Sequence, residues 1–468
     1  MKQPMPKSHT PRAEQRTRIR LNGFAGIDRR GGADDGALVR AAGVDPRAFP
    51  ALKSAPALRP QGISLPGEVL SLHAIGEELY AFTNVSGMVL LHRIRNGRVQ
   101  TAEFPQTAAV KTRSLLCFNR YSDPLDPLGG TYSRIVIILP DKLCILPDND
   151  TLTLTRLGAE EITLPPMDCG AVHLSRLFAA AGDRLYASAY NSPADFDLDT
   201  AADVGAANAW ATVAQSNTRA SGDFTAMTVF DGHVLAFKRH FTHIINNTKN
   251  PFRVADLLTV GTDNAETLAE LAGELYFSSG KQLYRYNGNS LREIAAPLAL
   301  GSLSRAQGVG YDGLYLLAPA SGGVYAYSPA RDAWGALADS STKIAAMAAS
   351  ADACYALTEA GELLMLDEAT DGLSCESTPL LLGSMAPRRL VRLALAATLG
   401  EGASLSVGAR ESSGRVTPLL DAIGTGGTAV LLGRGYTPQG TAFSLVISGK
   451  GALCIHRTEL VAAGDDEF

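Results

Sequence analysis

M-T-V-F-D-G-H-V-L-A-F-K-R (227–239), L-A-G-E-L-Y-F-S-S-G-K-Q-L-Y-R-Y-N-G (271–288), V-G-Y-D-G-L-Y-L-L-A-P-A-S-G-G-V-Y-A-Y-S-P (309–329) and A-S-A-D-A-C-Y-A-L-T-E-A-G-E-L-L-M-L-D (349–367) repeat one pattern four times. Each holds a short apolar run, a polar turn and a second apolar run. From Leu235 to Tyr276, Tyr315 and Tyr355 the steps are 41, 39 and 40 residues, too constant for loops of random length. The runs alternate with period two and are divided by D-G, A-G or S-G, which is a hairpin signal. A repeat of this length built only from strands is one four-stranded propeller blade. Helical repeats would need two amphipathic helices per unit, and the Gly, Tyr and β-branched content argues against them.

Outward from this stretch the same texture continues. H-L-S-R-L-F-A-A-A-G-D-R-L-Y-A-S-A-Y (173–190) carries Leu185-Tyr186, and V-L-S-L-H-A-I-G-E-E-L-Y-A-F (69–82) carries Leu79-Tyr80. Between them lie the apolar runs Ser133 to Leu139 and Leu143 to Leu146, after a turn-rich insertion from Tyr121 to Tyr132 that should be an exposed loop. The expected fold is all-β: a β-propeller of about seven blades, six to eight being compatible, over 67–375. Closure can borrow a strand from either terminus. After Cys375 the 40-residue step disappears while strand alternation persists, so 376–468 is expected to be a C-terminal β-sandwich-like module with an acidic tail. Residues 1–20 hold Lys2, Lys7, Arg12, Arg16, Arg18 and Arg20 against the single acid Glu14. That composition describes a basic flexible arm, or one that docks on a partner subunit or touches nucleic-acid phosphates. Residues 21–66 are too short for a domain and are expected to pack on the C-terminal module or the propeller.

The chain has 468 residues, 46% of them apolar and 19% charged, enough for a full core. With 42 basic and 47 acidic residues the net charge is −5, so any surface for nucleic acid must be local. Six cysteines stand far apart, without a C-x-x-C pair, and read as buried free thiols of a protein assembled in a reducing cytoplasm. No apolar run reaches 18 residues, so no membrane-spanning segment is expected, and the N-terminus lacks the apolar core of a secretory signal.

Candidate chemistry is sparse. Asp195, Asp197 and Asp199 alternate as in a calcium loop, but Thr200 and Ala206 stand where an EF-hand needs Gly and Glu. His240 and His243, three apart in a strand, would point to opposite faces and so would not share a metal. Gly424 to Thr428 is glycine-rich without a following G-K-[ST], and reads as a flexible interstrand loop. In S-P-A-R-D-A-W (328–334), Asp332 is expected to bond the turn backbone and Trp334 to pack between blades. Serine-hydrolase, zinc-protease and Walker patterns are missing. No catalytic, cofactor-binding or metal residue is assigned, no cofactor is expected, and the protein is read as a non-enzyme.

The order of motifs resembles a family. F-A-G-I-D (24–28), A-L-R (57–59), R-L-F-A-A-A-G-D-R-L-Y-A-S (176–188), S-P-A-D-F-D (192–197), N-P-F-R-V-A-D-L-L-T-V-G-T-D (250–263) and G-E-L-Y-F-S-S-G-K-Q-L-Y-R-Y-N-G (273–288) follow one another as in the propeller-bearing virion proteins of tailed bacteriophages, notably the tail nozzle or tail-tube proteins of short-tailed phages. The resemblance implies a structural subunit of tail or neck, made in the host cytoplasm, forming a ring of itself, commonly hexameric, beneath portal and adaptor. Genomic DNA would pass through without sequence-specific binding, past a neutral or mildly acidic wall. The alternative is a glycan-binding or glycan-cleaving propeller, a receptor-binding lectin or glycosidase.

Overall fold

The computed structural model describes residues 15–21, 23–30, 36–103, 115–119, 133–139, 142–146, 155–157, 165–193, 195–196, 209–213, 222–246, 252–382, 387–435 and 437–464. Among them the chain forms seven four-stranded antiparallel sheets and one ten-stranded sheet. Six of the seven are consecutive meanders: 68–103 (blade I), 115–157 (II), 169–213 (III), 224–258 (IV), 264–293 (V) and 307–338 (VI). Blade VII takes Ile344–Ala349, Cys354–Thr358 and Glu362–Asp367, and receives Ala57–Ser64 as its fourth strand. The protein is a seven-bladed β-propeller closed by a strand from the N-terminal part of the chain. No helix among the described residues is long and apolar enough to cross a membrane.

Local chemistry explains the hairpins. Asp231-Gly232, Asp312-Gly313, Asn96-Gly97 and Ser86-Gly87 all have both residues at positive φ, the two-residue turn whose twist suits antiparallel strands. Asp, Asn and Gly tolerate that region best. In blades III, IV and V the second strand is the most buried, and Leu314–Ala318 of blade VI is buried throughout, because an inner strand has sheet neighbours on both edges and blades on both faces.

Between blades the core is a set of apolar seams. Phe178, Trp210, Met227 and Phe252 join blades III and IV, and Phe230, Phe237, Leu268 and Phe277 join IV and V. The closing seam sets Leu65, Leu72 and Leu79 against Ala346, Ala348 and Leu357, so blade VII packs on blade I. Each fully buried leucine or phenylalanine contributes about 1.5–3 kcal/mol. Leu65 also donates its N–H to the Gly361 carbonyl at 2.9 Å, fixing the chain where it leaves the closing strand.

By proximity the chain divides into residues 58–332 with 338–367, and residues 1–57, 333–337 and 368–468. The second unit is built on the ten-stranded sheet, whose main path runs Gln15–Leu21, Leu453–Gly464, Arg389–Arg410, Ala442–Lys450, Gly372–Ser377, Ala37–Ala42, Gly26–Ile27. Arg389–Arg410 has 22 residues and its hairpin partner Val416–Arg434 has 19. Fully extended, 19 residues would span roughly 60 Å. Yet a Cβ on Gly433 would stand 2.4 Å from the Leu419 carbonyl oxygen, so the two ends of that strand meet and the sheet doubles back on itself.

The bend lies where the register shifts between Glu401 and Ser404. Gly424 there approaches the opposite backbone so closely that a Cβ would be 2.2 Å from the Gly400 oxygen. Gly424 to Thr428, expected to be a flexible interstrand loop, is therefore the corner of one continuous strand. Its glycines serve close approach and bending.

Two boundaries differ from expectation, and one segment does more than pack. Gln15–Leu21, assigned in sequence to the end of a flexible arm, is a strand paired along its length with Leu453–Gly464, while residues 1–14 lie outside the described residues. The 21–66 segment supplies strands to both the ten-stranded sheet and blade VII. Gly372–Ser377 belongs to the ten-stranded sheet, so the propeller ends before residue 375.

Candidate functional site

The first strands of the seven blades line a central channel of about 510 Å³. Its wall is mostly small and aliphatic, as at Ala171, Gly308, Val309 and Ala348. Side chains able to bond a ligand are His73 from blade I, Thr228 from blade IV, and Glu266 and Glu270 from blade V. His73 Nε2 lies 3.1 Å from Ser71 Oγ. No lysine or arginine lines the channel among the described residues. The two carboxylates stand four apart on one strand, Asn264–Leu271, whose register slips between Asn264 and Ala269. With one sign of charge and a single imidazole, the channel suits a small cationic or hydroxylated guest better than an anion.

The strongest polar network lies between blades V and VI. Tyr276 and Tyr315 stack at 4.8 Å, and the buried Tyr315 hydroxyl donates to the Thr267 carbonyl at 2.9 Å. Tyr327 donates to Asp332 Oδ1 at 2.5 Å, and Arg292 Nη2 donates to Asp332 Oδ2 at 2.7 Å. Burial, reinforced by the bond to Asp332, pushes the Tyr327 phenol up to about 12. Arg285 Nε pairs with Glu274 at 2.6 Å. Every member is held by another, as expected of a network that positions blades.

Lys238 and Arg176 are both buried cations. The Lys238 ammonium sits 4.9 Å from the Phe224 ring centre, and burial lowers its pKa against the opposing pull of Asp183 and Asp223. Arg176 donates to the Ser188 carbonyl at 2.5 Å and lies over Phe252. Aromatic faces and carbonyls thus carry these charges inside the wheel.

The sequence candidates do not converge. Asp195 accepts the Ala189 N–H through its backbone carbonyl, and Asp197 and Asp199 lie outside the described residues. His240 is exposed, whereas His243 is buried with Nδ1 3.0 Å from Asp256. Asp332 bonds Tyr327 and the neighbouring blade's Arg292 through its side chain, in place of the expected turn backbone. Trp334 is buried. Sequence reasoning passed over Glu266 and Glu270. The signal was there in E-T-L-A-E (266–270), two acids inside the first run of a blade, where the channel-lining residues of the other blades include none.

No protein-family model matches the chain, and no curated protein matches it. Solved structures similar to it are propellers. Virginiamycin B lyase from Staphylococcus aureus is 9% identical, with a TM-score of 0.44, over 64% of this chain and 94% of its own. BamB from Moraxella catarrhalis is 10% identical, with a TM-score of 0.39, over 71% and 97%. The Pan2 WD40 domain of Neurospora crassa is 6% identical, with a TM-score of 0.39, over 70% and 97%. At such values the likeness is one of fold, and the activities of those proteins do not transfer.

Proposed function

We propose that this chain is a structural virion protein of a bacteriophage tail or neck, assembling with itself as a nozzle-like hexameric ring around the DNA exit channel and abutting adaptor or portal proteins. The observation that carries the reading is how the N-terminal part of the chain is woven in. Gln15–Leu21 and Ala37–Ala42 hydrogen-bond within the ten-stranded sheet, and Ala57–Ser64 completes blade VII. Strands paired along their length resist load by shear of many backbone bonds at once, which suits a part under mechanical stress. The motif order from Phe24 onward supports the same reading. The protein is then a non-enzyme, made in the host cytoplasm and residing in the virion.

Light scattering and negative-stain electron microscopy test this, on the protein alone and co-expressed with the products of neighbouring genes. Rings of fixed order support the proposal. A strict monomer under both conditions that binds oligosaccharides on an array overturns it in favour of a glycan-binding propeller. That second reading has one observation of its own, the pair Glu266 and Glu270 in a channel of sugar-sized volume.

A further inference from the structure

The ten-stranded sheet carries a basic face. Residues directly opposite one another in paired strands point to the same side. The register aligns Arg18, Val461, Arg392 and Arg434 in one row across four strands. The next row is Arg20, Glu459, Ala394 and Leu432, and the one after it sets Arg457 beside Ala396 and Val430. Lys53 follows, opposite Cys454. Arg18, Arg20, Arg392, Arg434, Arg457 and Lys53 are all exposed. The single acid among them, Glu459, faces Arg20 at 3.5 Å. Strands about 4.8 Å apart and residues about 3.3 Å apart make the arginine rows a patch of roughly 14 by 13 Å, with Lys53 about 10 Å beyond it. A chain of net charge −5 has concentrated cations here.

Arg392 and Arg434 are the telling pair. They stand opposite each other on adjacent strands, and among the described residues neither has a carboxylate partner. Like charges so placed destabilise a sheet, so the fold gains nothing from them. An anion lying across the strands would turn that cost into attraction. Guanidinium groups bind phosphate in forked pairs, and arginine outnumbers lysine on this face by five to one. The rows contain no phenylalanine, tyrosine or tryptophan, and the imidazole of His456 beside Arg457 is held by Thr398 Oγ1 at 2.8 Å, which points away from stacking of single strands. The exposed aliphatics Val430 and Leu432 keep to the strand farthest from Arg18 and Arg20, leaving the basic rows without the apolar centre of a protein interface.

We propose that this face binds the phosphate backbone of duplex DNA, without sequence choice, through Arg18, Arg392, Arg434 and Arg457, with Arg20 and Lys53 at its margin. This rests on the virion reading and departs from the neutral or mildly acidic wall that the resemblance implies: such a wall lets DNA slide, whereas this face would grip its phosphates. The two fail separately, because ring formation is read by light scattering and this contact by titration of the subunit.

The experiment is fluorescence-anisotropy titration of the full chain with two 20-base-pair duplexes of unrelated sequence from 50 to 200 mM salt. Equal affinities and a log–log salt slope of roughly −4 are expected for four to five phosphate contacts. R392Q/R434Q/R457Q should weaken binding more than tenfold and flatten the slope by about 3. Its melting temperature should hold or rise, since a repulsive pair has been removed. R98Q/R253Q, on the propeller, should change nothing. If the triple variant does not fold, R18Q and R434Q singly should each flatten the slope by about 1. Absence of binding at 50 mM salt, equal weakening by R98Q/R253Q, or a lowered melting temperature in R434Q would overturn the proposal. So would displacement of the duplex by an equal charge of poly-glutamate, which would identify an acidic protein as the partner.

Discussion

His92 is buried between two hydroxyls, its Nε2 2.8 Å from Thr83 Oγ1 and its Nδ1 2.9 Å from Thr101 Oγ1. Burial holds its pKa below the ordinary 6.5, and burial does the same for His243, where it outweighs the pull of Asp256. A histidine depressed in the folded state binds its proton more weakly there than in the unfolded chain. The stability it contributes is present above pH 6.5 and is lost as pH falls through the lower folded value. Urea midpoints should therefore decline from pH 7.5 to 5.5, and His92→Gln should flatten the decline. Identical midpoints across that window would contradict this. Thiols offer a second test: burial pushes Cys354 and Cys375 up to about 12, whereas Cys454 is half-exposed. Native protein treated with iodoacetamide should be alkylated at Cys454 well before Cys354 or Cys375, as read by peptide mass spectrometry.

Each blade depends on what its neighbour lets approach. A Cβ on Gly308 would stand 2.2 Å from the Tyr315 hydroxyl and 3.1 Å from Thr267 Cα, inside the seam between blades V and VI. Gly308→Ala should cost about 1–3 kcal/mol in urea unfolding. Gly301→Ala, with nothing within 4 Å, should stay within about 0.5 kcal/mol. Although Leu185-Tyr186, which carries the same pattern, falls in the third strand of its blade, much of this scale was legible in sequence, since Leu79-Tyr80, Leu275-Tyr276 and Leu314-Tyr315 all fall in the second. That strand is buried from both sides, so its pattern is dense. What escaped were elements whose local pattern is ambiguous. A-L-R-P-Q-G-I-S (57–64) contains Pro and Gly, and only the blade it completes makes it a strand. The glycines at 424–427 look like a loop until the opposing Gly400 carbonyl is in view. The basic face stayed hidden for a related reason, because its arginines come from four separated segments and only register gathers them.

At the scale of the whole molecule, one closing strand makes seven sheets a ring. Replacing 57–64 by a Gly/Ser linker of equal length would leave blade VII with three strands and an open edge. The loss of several backbone hydrogen bonds should cost roughly 3–5 kcal/mol, read as a lower unfolding midpoint. The bared edge should also promote association, visible by light scattering. The same closure sets a schedule for synthesis. Ser64 and Glu362 lie nearly 300 residues apart, so a strand translated early waits for a partner made much later. Pairing at such sequence distance makes ring closure a late and slow event, with six blades stacked before the first contact of the seventh is sealed. Until then the nascent chain carries an unmatched ribbon at each end of a growing stack, and it is in that interval that assistance from chaperones would matter most.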